Sequence, residues 1–264
     1  MLSAPTAEQW NRFERLGHVC LGVLDGNVLQ ALQATADALM AGRYPCDYDT
    51  LLMQLDSDDG QHTSLGEQTN GFKGATRAYR KIQGLEQVGP FRDLIEAEPF
   101  REICRHVYGA DTDIACFRAM LMNKPARGGT DLPWHQDRWR DLDRDPLLTV
   151  WVALDAAGAA QGCMEVIEGS HGWGLLNPGH HSGWLNAAQR RALEPHPTMP
   201  LEAQAGDVYL LHNWLLHRSG RNATGEARRA FSFCYMEAAT QAHSGAAFPR
   251  VFQADTRSEA PNVP

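Results

Sequence analysis

The spacing of apolar residues changes character part-way along the chain. At the start it follows the helical period. Trp10, Phe13 and Leu16 share one helical face, as a 3.6-residue turn requires. Thr6-Ala7-Glu8-Gln9 before them has the form of a capping box, and Gly17 supplies a stop. His18–Val23 reads as a short strand. Asp25 is placed to cap a second helix carrying Val28, Leu29, Leu32, Ala36 and Leu39 on one side and ending at Gly42. Residues 43–75 show no period. Asp56–Gly60 reads as a turn, and the polar, glycine-rich run after it as a lid or loop. Pro90 opens a third helix, predicted to run to about Val107 with Phe91, Leu94, Ile95, Phe100 and Ile103 inward.

After that helix the pattern is that of strands. Ile114–Asn123, Leu147–Leu154, Met164–Ile167, Val208–Leu211 and Ala230–Met236 all read so, with one short helix near Asn186–Leu193. Two strands have faces that can be assigned. Leu148, Val150, Val152 and Leu154 alternate with Leu147, Thr149, Trp151 and Ala153; Phe231, Phe233 and Tyr235 alternate with Arg228, Ala230, Ser232 and Cys234. One face of each is built to meet helices, and the other, of mixed character, to line a cavity. Helices first and strands after predict an α+β protein, mainly β, in a single domain over 1–264. Residues 1–107 are expected to be mainly helical support and lid, and 108–240 the strand core.

Composition narrows the function. With 264 residues, 43% of them hydrophobic, the chain can bury a substantial core. A net charge of -8 argues against a protein that grips nucleic acid by neutralising phosphates. No apolar run approaches a membrane span, and residues 1–10 lack the basic-then-apolar form of a secretory signal. The six cysteines are scattered without a C-x-x-C pair, as expected for reduced core thiols in a cytoplasmic protein. The expected partner is a small molecule, with no nucleic acid and no membrane, for a monomer or homodimer.

The candidate chemistry centres on Trp134-His135-Gln136-Asp137. On a strand, residues two apart point the same way, so His135 and Asp137 would offer a nitrogen and an oxygen to one metal ion. A His-x-acid triplet is expected about once by chance here, so the match needs company. His217 can supply a third ligand, completing the 2-His-1-carboxylate set of non-haem iron oxygenases. His212 competes with it but lacks the following Ser219 and Arg228. Arg228 is suited to holding a carboxylate bidentately. Alternation puts Arg228 in the cavity and Arg229 towards helices or solvent.

Four segments then resemble the phytanoyl-CoA dioxygenase family in order and spacing. They are Met120–Pro125, Trp134–Asp137, Gln161–His171 and the run His217-x-Ser219-x-x-Asn222-x-Thr224 to Arg228. The similarity extends from about Lys81 to Met236. It implies a double-stranded β-helix (a cupin-like jelly roll) flanked by N-terminal helices, and an Fe(II)- and 2-oxoglutarate-dependent oxygenase. Carried over by position, His135, Asp137 and His217 would hold iron. Arg228, helped by Ser219, would bind the distal carboxylate of 2-oxoglutarate, with Lys81, Met120 and Trp151 lining the cosubstrate. O2 would be reduced with release of succinate and CO2 while an unactivated C–H bond is hydroxylated. Two departures stand out: Arg218 where glycine commonly follows the distal histidine, and Glu168 where proline commonly precedes Gly-Ser-His. A metal-binding cupin without turnover and a zinc hydrolase remain as alternatives. The substrate is expected to be small and polar or anionic, with Trp139 near the metal if the strand continues, Arg138 and Arg140 turned away, and Lys73, Arg77 and Tyr79 on the lid.

Overall fold

The structure, a computed structural model, describes residues 2–255. Helix α1 (Ala7–Leu16) starts as predicted. The Thr6 hydroxyl accepts from the Gln9 N–H, the Gln9 side chain accepts from the Thr6 N–H, and Gly17, at φ 80°, turns the chain into β1 (His18–Val23). In α2 (Gly26–Met40), Asp25 caps the first turn and Leu32, Ala36 and Leu39 are buried. Val28, expected inward, stays 39% exposed in the first turn. Three short strands follow, β2 (Leu52–Leu55), β3 (Thr69–Asn70) and β4 (Tyr79–Gln83).

The single third helix expected from the sequence is two, α3 (Gly89–Ile95) and α4 (Glu98–Tyr108). Pro99 is the cause. In a continuous helix its ring would clash with the Ile95 carbonyl and its missing N–H would break the ladder. The chain therefore leaves the helix at Glu96–Ala97 and restarts with Pro99 in a first turn, where the lost N–H has no partner to lose. All five predicted inward residues are buried.

Then come β5 (Ile114–Lys124), β6 (Leu132–His135), β7 (Leu148–Ala153), β8 (Met164–Val166), α5 (Ala187–Leu193), β9 (Met199–Leu201), β10 (Asp207–His212), β11 (His217–Ser219), β12 (Arg228–Glu237) and β13 (Arg250–Phe252). Among the described residues the strands form two antiparallel sheets, the jelly roll. The larger runs β1-β10-β7-β12-β5-β4-β2-β3, with β13 also on β5; the smaller runs β6-β11-β8-β9. Four strands of the larger sheet thus lie in the first 107 residues, a stretch expected to be mainly helical. β2 and β4 are short and pair with strands distant in sequence, so no hairpin turn announces them.

The assigned faces hold. Leu148, Val150, Val152, Phe231, Phe233 and Tyr235 join one core with the helices. Phe91 and Phe100 reach down from α3 and α4 onto Phe231 and Phe233, with ring centroids 4.6 and 5.1 Å apart. Thr149, Trp151, Arg228 and Ser232 point the other way, into a cavity. Arg229 lies on the helix side. Its guanidinium holds Asp155 through two 2.8 Å bonds and Asp37 of α2 at 2.9 Å. No helix among the described residues is long and apolar enough to cross a membrane.

Arg229 therefore ties a helix to the sheet rather than serving the cavity. Its side chain is largely buried while both acids are partly exposed, so the pairing lies between the surface and buried limits. Arg229→Ala should lower the unfolding free energy by about 2 kcal/mol in urea titrations. A loss under about 0.5 kcal/mol would reduce it to a surface pair.

Candidate active site

His135 closes β6, and the strand ends there. Asp137 is therefore not brought to His135 by strand alternation, as the sequence suggested, but by a turn. Gln136 fixes that turn. Fully buried, its amide donates to Gly174 O and Trp214 O, its carbonyl accepts from Leu176 N–H, and its own N–H reaches Gly183 O. Gly183 sits at φ 68°, and a Cβ there would stand 1.9 Å from Gln136 O, so only glycine is compatible. The Asp137 N–H donates to Asn213 O at 2.7 Å. Asn213 is in turn held by Thr149 Oγ1 and Pro146 O. His217 on β11 pairs directly with His135 across the small sheet, ring centroids 4.0 Å apart. One ligand atom from each of His135, Asp137 and His217 lies within 4.8 Å of the others.

The protonation states suit a cation. Nδ1 of His135 is 2.8 Å from Pro133 O and Nδ1 of His217 is 2.9 Å from Leu215 O. A carbonyl only accepts, so each Nδ1 carries a proton and Nε2 is the nitrogen left for a metal. Burial, aided by His217, pushes His135 down to about 3, so it stays neutral near pH 7. Burial opposes ionisation of Asp137, but Arg118, the two histidines and Lys81 outweigh it and hold the carboxyl below its ordinary value. Two imidazole nitrogens and one anionic oxygen on one side of a cavity match the donor set of a divalent iron site.

That cavity encloses about 510 Å³, and all eight residues expected at the site line it: His135, Asp137, His217, Arg228, Ser219, Lys81, Met120 and Trp151. Arg228 is 5% exposed at one end, opposite Lys124 in the β12–β5 register; it donates to Gly162 O, and its Nε has no partner. Burial lowers it to about 10, still charged at neutral pH. Burial and repulsion from Arg118 and Arg80 bring Lys81 to about 7; Lys124 is brought to about 7 by burial and by Arg228 and Arg80. His212 stays outside the lining, 5.0 Å from the His171 ring, and His171 reaches Glu14 O.

Other expectations fail for local reasons. Because the chain turns after His135, Arg138 and Trp139 both line the cavity, while Arg140 binds Gly179 O. Leu65 and Gln68 of the loop reach the cavity, but Lys73, Arg77 and Tyr79 do not. Lys73 bonds Asn70 O, Arg77 pairs with Asp37, and the Tyr79 hydroxyl is bound by Lys73 N–H and Gly74 O. Three contributors were not anticipated. Arg118 follows from Met120 by alternation along β5 and was legible. Trp184 stacks on His135 at 4.5 Å, and His62 on Trp184 at 5.3 Å; these contacts join distant loops and leave no local signal.

Residues 13–230 match the phytanoyl-CoA dioxygenase family. The chain belongs to this family. A probable phytanoyl-CoA dioxygenase of Caenorhabditis elegans is 26% identical over 176 residues, covering 62% of this chain and 56% of that protein. The chain spans about half the length of the family relatives it matches. Among solved structures, AviO1 of Streptomyces viridochromogenes Tue57 superposes with a TM-score of 0.63 at 24% identity, covering 94% of this chain and 100% of that one. EctD of S. alaskensis, solved with 2-oxoglutarate and 5-hydroxyectoine, gives 0.68 at 20% identity, covering 91% and 79%. At these identities the likeness shows the fold. Against the family pattern, Arg218 pairs with Glu165 at 2.8 Å and lies over the Trp134 ring, while Glu168 meets His18 at 2.9 Å, in the buried join between α1 and β1.

The buried histidines give a pH dependence. Burial first of all lowers His135, His212 and His18 below their ordinary 6.5, to about 3 and about 4 for the first two. In the unfolded chain they take up protons below 6.5, so their contribution is intact above that pH and is lost as the pH falls towards 4. The urea midpoint of metal-free protein should drop between pH 7.5 and 5, and His212→Gln should flatten the drop. A midpoint constant over this range would contradict it.

Proposed function

We propose that the protein is an Fe(II)- and 2-oxoglutarate-dependent dioxygenase that hydroxylates a C–H bond of a small, polar or anionic metabolite. The observation that carries this is one cavity holding both the His135–Asp137–His217 set, with each Nδ1 committed to a backbone carbonyl, and the buried Arg228 with an unpartnered Nε. Family membership and a fold shared with a 2-oxoglutarate-bound relative support it. When bound, iron and 2-oxoglutarate supply the reducing power for O2, with succinate and CO2 as coproducts and one oxygen atom reaching the substrate.

The chain's own residues do the rest. His135, Asp137 and His217 would hold the iron on one side and leave the other to ligands. Arg228 and Ser219 would fix the distal carboxylate of the cosubstrate, and Lys81, Met120 and Trp151 would form its walls. His62, stacked on Trp184 over His135, would keep water from the centre. We read 1–264 as one catalytic domain in which residues 1–107 complete the sheet of the 108–240 core and supply the lid. We read the protein as a cytoplasmic monomer or homodimer acting on a small molecule.

Fe(II), 2-oxoglutarate and O2 together should produce succinate, and Zn(II) should not replace iron. An anaerobic mixture of Fe(II) and 2-oxoglutarate should show a visible charge-transfer band. His217→Ala should abolish both signals while His212→Ala keeps them; the reverse would reassign the distal ligand. Arg228→Ala should raise the 2-oxoglutarate requirement roughly 30- to 1,000-fold, the equivalent of about 2–4 kcal/mol for a broken buried charge pair. Arg229→Ala should change it less than about threefold, since Arg229 faces the helices. Equal effects would refute the assignment of Arg228 as the clamp.

A further inference from the structure

The cavity carries more positive charge than iron and cosubstrate use. Among the described residues its lining holds seven cationic side chains and a single carboxylate, Asp137. Most of the cations have protein partners. Arg138 faces Asp145 and donates to Pro178 O, and Arg218 pairs with Glu165. Arg80, Lys81 and Lys124 donate to Gln54, Gln68 and Thr130 O. Arg228 is taken by the cosubstrate in the reading above.

Arg118 is different. Its side chain is 13% exposed, and its guanidinium lies over the Trp139 ring at 4.7 Å. Its nearest carboxylate is Asp137, at 3.6 Å, beyond hydrogen-bond range. Asp137 is also the oxygen donor that a metal would claim. With that charge turned to a cation, Arg118 is left in a low-dielectric site without an anion, and with Lys81 adding to the positive field. An arrangement of this kind is costly unless a ligand completes it.

Arg118 also stands well apart from Arg228 along the strands. In the β5–β12 register Arg228 lies opposite Lys124 and Arg118 opposite Cys234. The two ends are six residues apart on either strand, about 20 Å of backbone. The cavity therefore has two cationic poles, and the one at Arg118 adjoins the metal set through Asp137. At the Arg118 pole the walls are aromatic: Phe117 packs edge-on against Trp139 at 4.7 Å, and Trp184 lies across the cavity on His135.

Resting on the oxygenase reading, we propose that Arg118 is the receptor for the primary substrate, which carries a carboxylate on this guanidinium and lays an apolar body against Trp139, Phe117 and Trp184. With Trp139 against one side of the guanidinium, its parallel N–H donors remain suited to a two-oxygen carboxylate. Arg138 nearby faces Asp145, 3.8 Å away and outside the metal set, and donates to Pro178 O, so the pole presents one guanidinium whose facing carboxylate the metal would claim, and not the cluster that a phosphate dianion calls for. A carboxylate on Arg118 lies beside Asp137, so the carbon presented to the metal is one near the acid group.

The test uses protein loaded with Fe(II) and saturating 2-oxoglutarate, without O2, so that Arg228 is occupied and no turnover occurs. Four- to ten-carbon carboxylic acids are compared with their primary amides and with phosphate monoesters of the matching alcohols, reading paramagnetic broadening of ligand proton resonances. The acids should bind and the amides should be at least about tenfold weaker; Arg118→Gln should weaken the best acid at least about thirtyfold, as expected when one partner of a buried charge pair is removed. In Arg118→Gln the iron content should be retained and the 2-oxoglutarate half-saturation of the visible band should move less than about threefold. Amides or phosphate esters binding as well as acids, or no acid binding, would overturn the proposal. So would an Arg118→Gln protein that loses iron or 2-oxoglutarate as severely as the acid, since Arg118 would then be a positioning residue for Asp137. If the wild type forms no band at all, the oxygenase reading itself fails, and the proposal with it.

Discussion

Two imidazoles and one carboxylate meet within 4.8 Å on the wall of a cavity otherwise rich in cations, and most of the architecture serves that meeting. Bare burial would protonate the carboxylate, and two histidines that charged would repel. Both outcomes are prevented locally. Burial and the neighbouring His217 keep His135 neutral, and Arg118, the two histidines and Lys81 keep Asp137 ionised, while the carbonyls of Pro133 and Leu215 orient the two rings through Nδ1. The backbone that aims these groups is fixed by buried polar anchors, Gln136 and Asn213, whose hydrogen bonds link the turn after β6 to the segment joining β10 and β11. Such networks specify geometry only when fully satisfied, and the Gln136 amide meets that condition with three partners.

The apolar faces of β7 and β12 do the complementary work from outside. Phe231, Phe233 and Tyr235 lock one side of the larger sheet against α3 and α4. The opposite side of the same strands is then free to carry Arg228, Ser232 and Trp151 around open space. Arg228 and Arg229 show how sharply strand geometry divides these roles. Adjacent in sequence, one serves the cavity and the other ties Asp37 of α2 to Asp155.

That division was legible in the sequence because period-two alternation is a property of each strand alone. The capping box at Thr6 and the place of His217 beside His135 and Asp137 were legible for similar reasons: the first is local chemistry, and the second is marked by the residues that follow it. What the sequence hid was set by non-local pairing. β2 and β4 are short and pair with distant strands, and the sequence beside them is polar. The break at Pro99 was readable but was masked by apolar spacing that continues across it. The approach of Asp137 to His135 was anticipated for the wrong reason. Strand alternation predicted it, yet a turn closed by Gly183 delivers it, and the same turn carries Arg138 and Trp139 into the cavity together.

The overall charge of -8 and the cationic cavity act on different scales. Net charge governs what a surface repels at long range and argues against polyanions. Charges facing inward are screened from solvent by the sheets and act on whatever enters. Buried cations without carboxylate partners cost free energy in the ligand-free protein, and an entering anion recovers that cost. Arg80, Lys81 and Lys124 limit it by donating to neutral oxygens, and the two lysines also by lowered affinity for their protons. A guanidinium does not have this second recourse, because it stays charged at neutral pH. The two arginines at opposite ends of the cavity, Arg228 and Arg118, are therefore the positions where an anionic ligand gains most, and they give a ligand its direction in the cavity as well as its affinity.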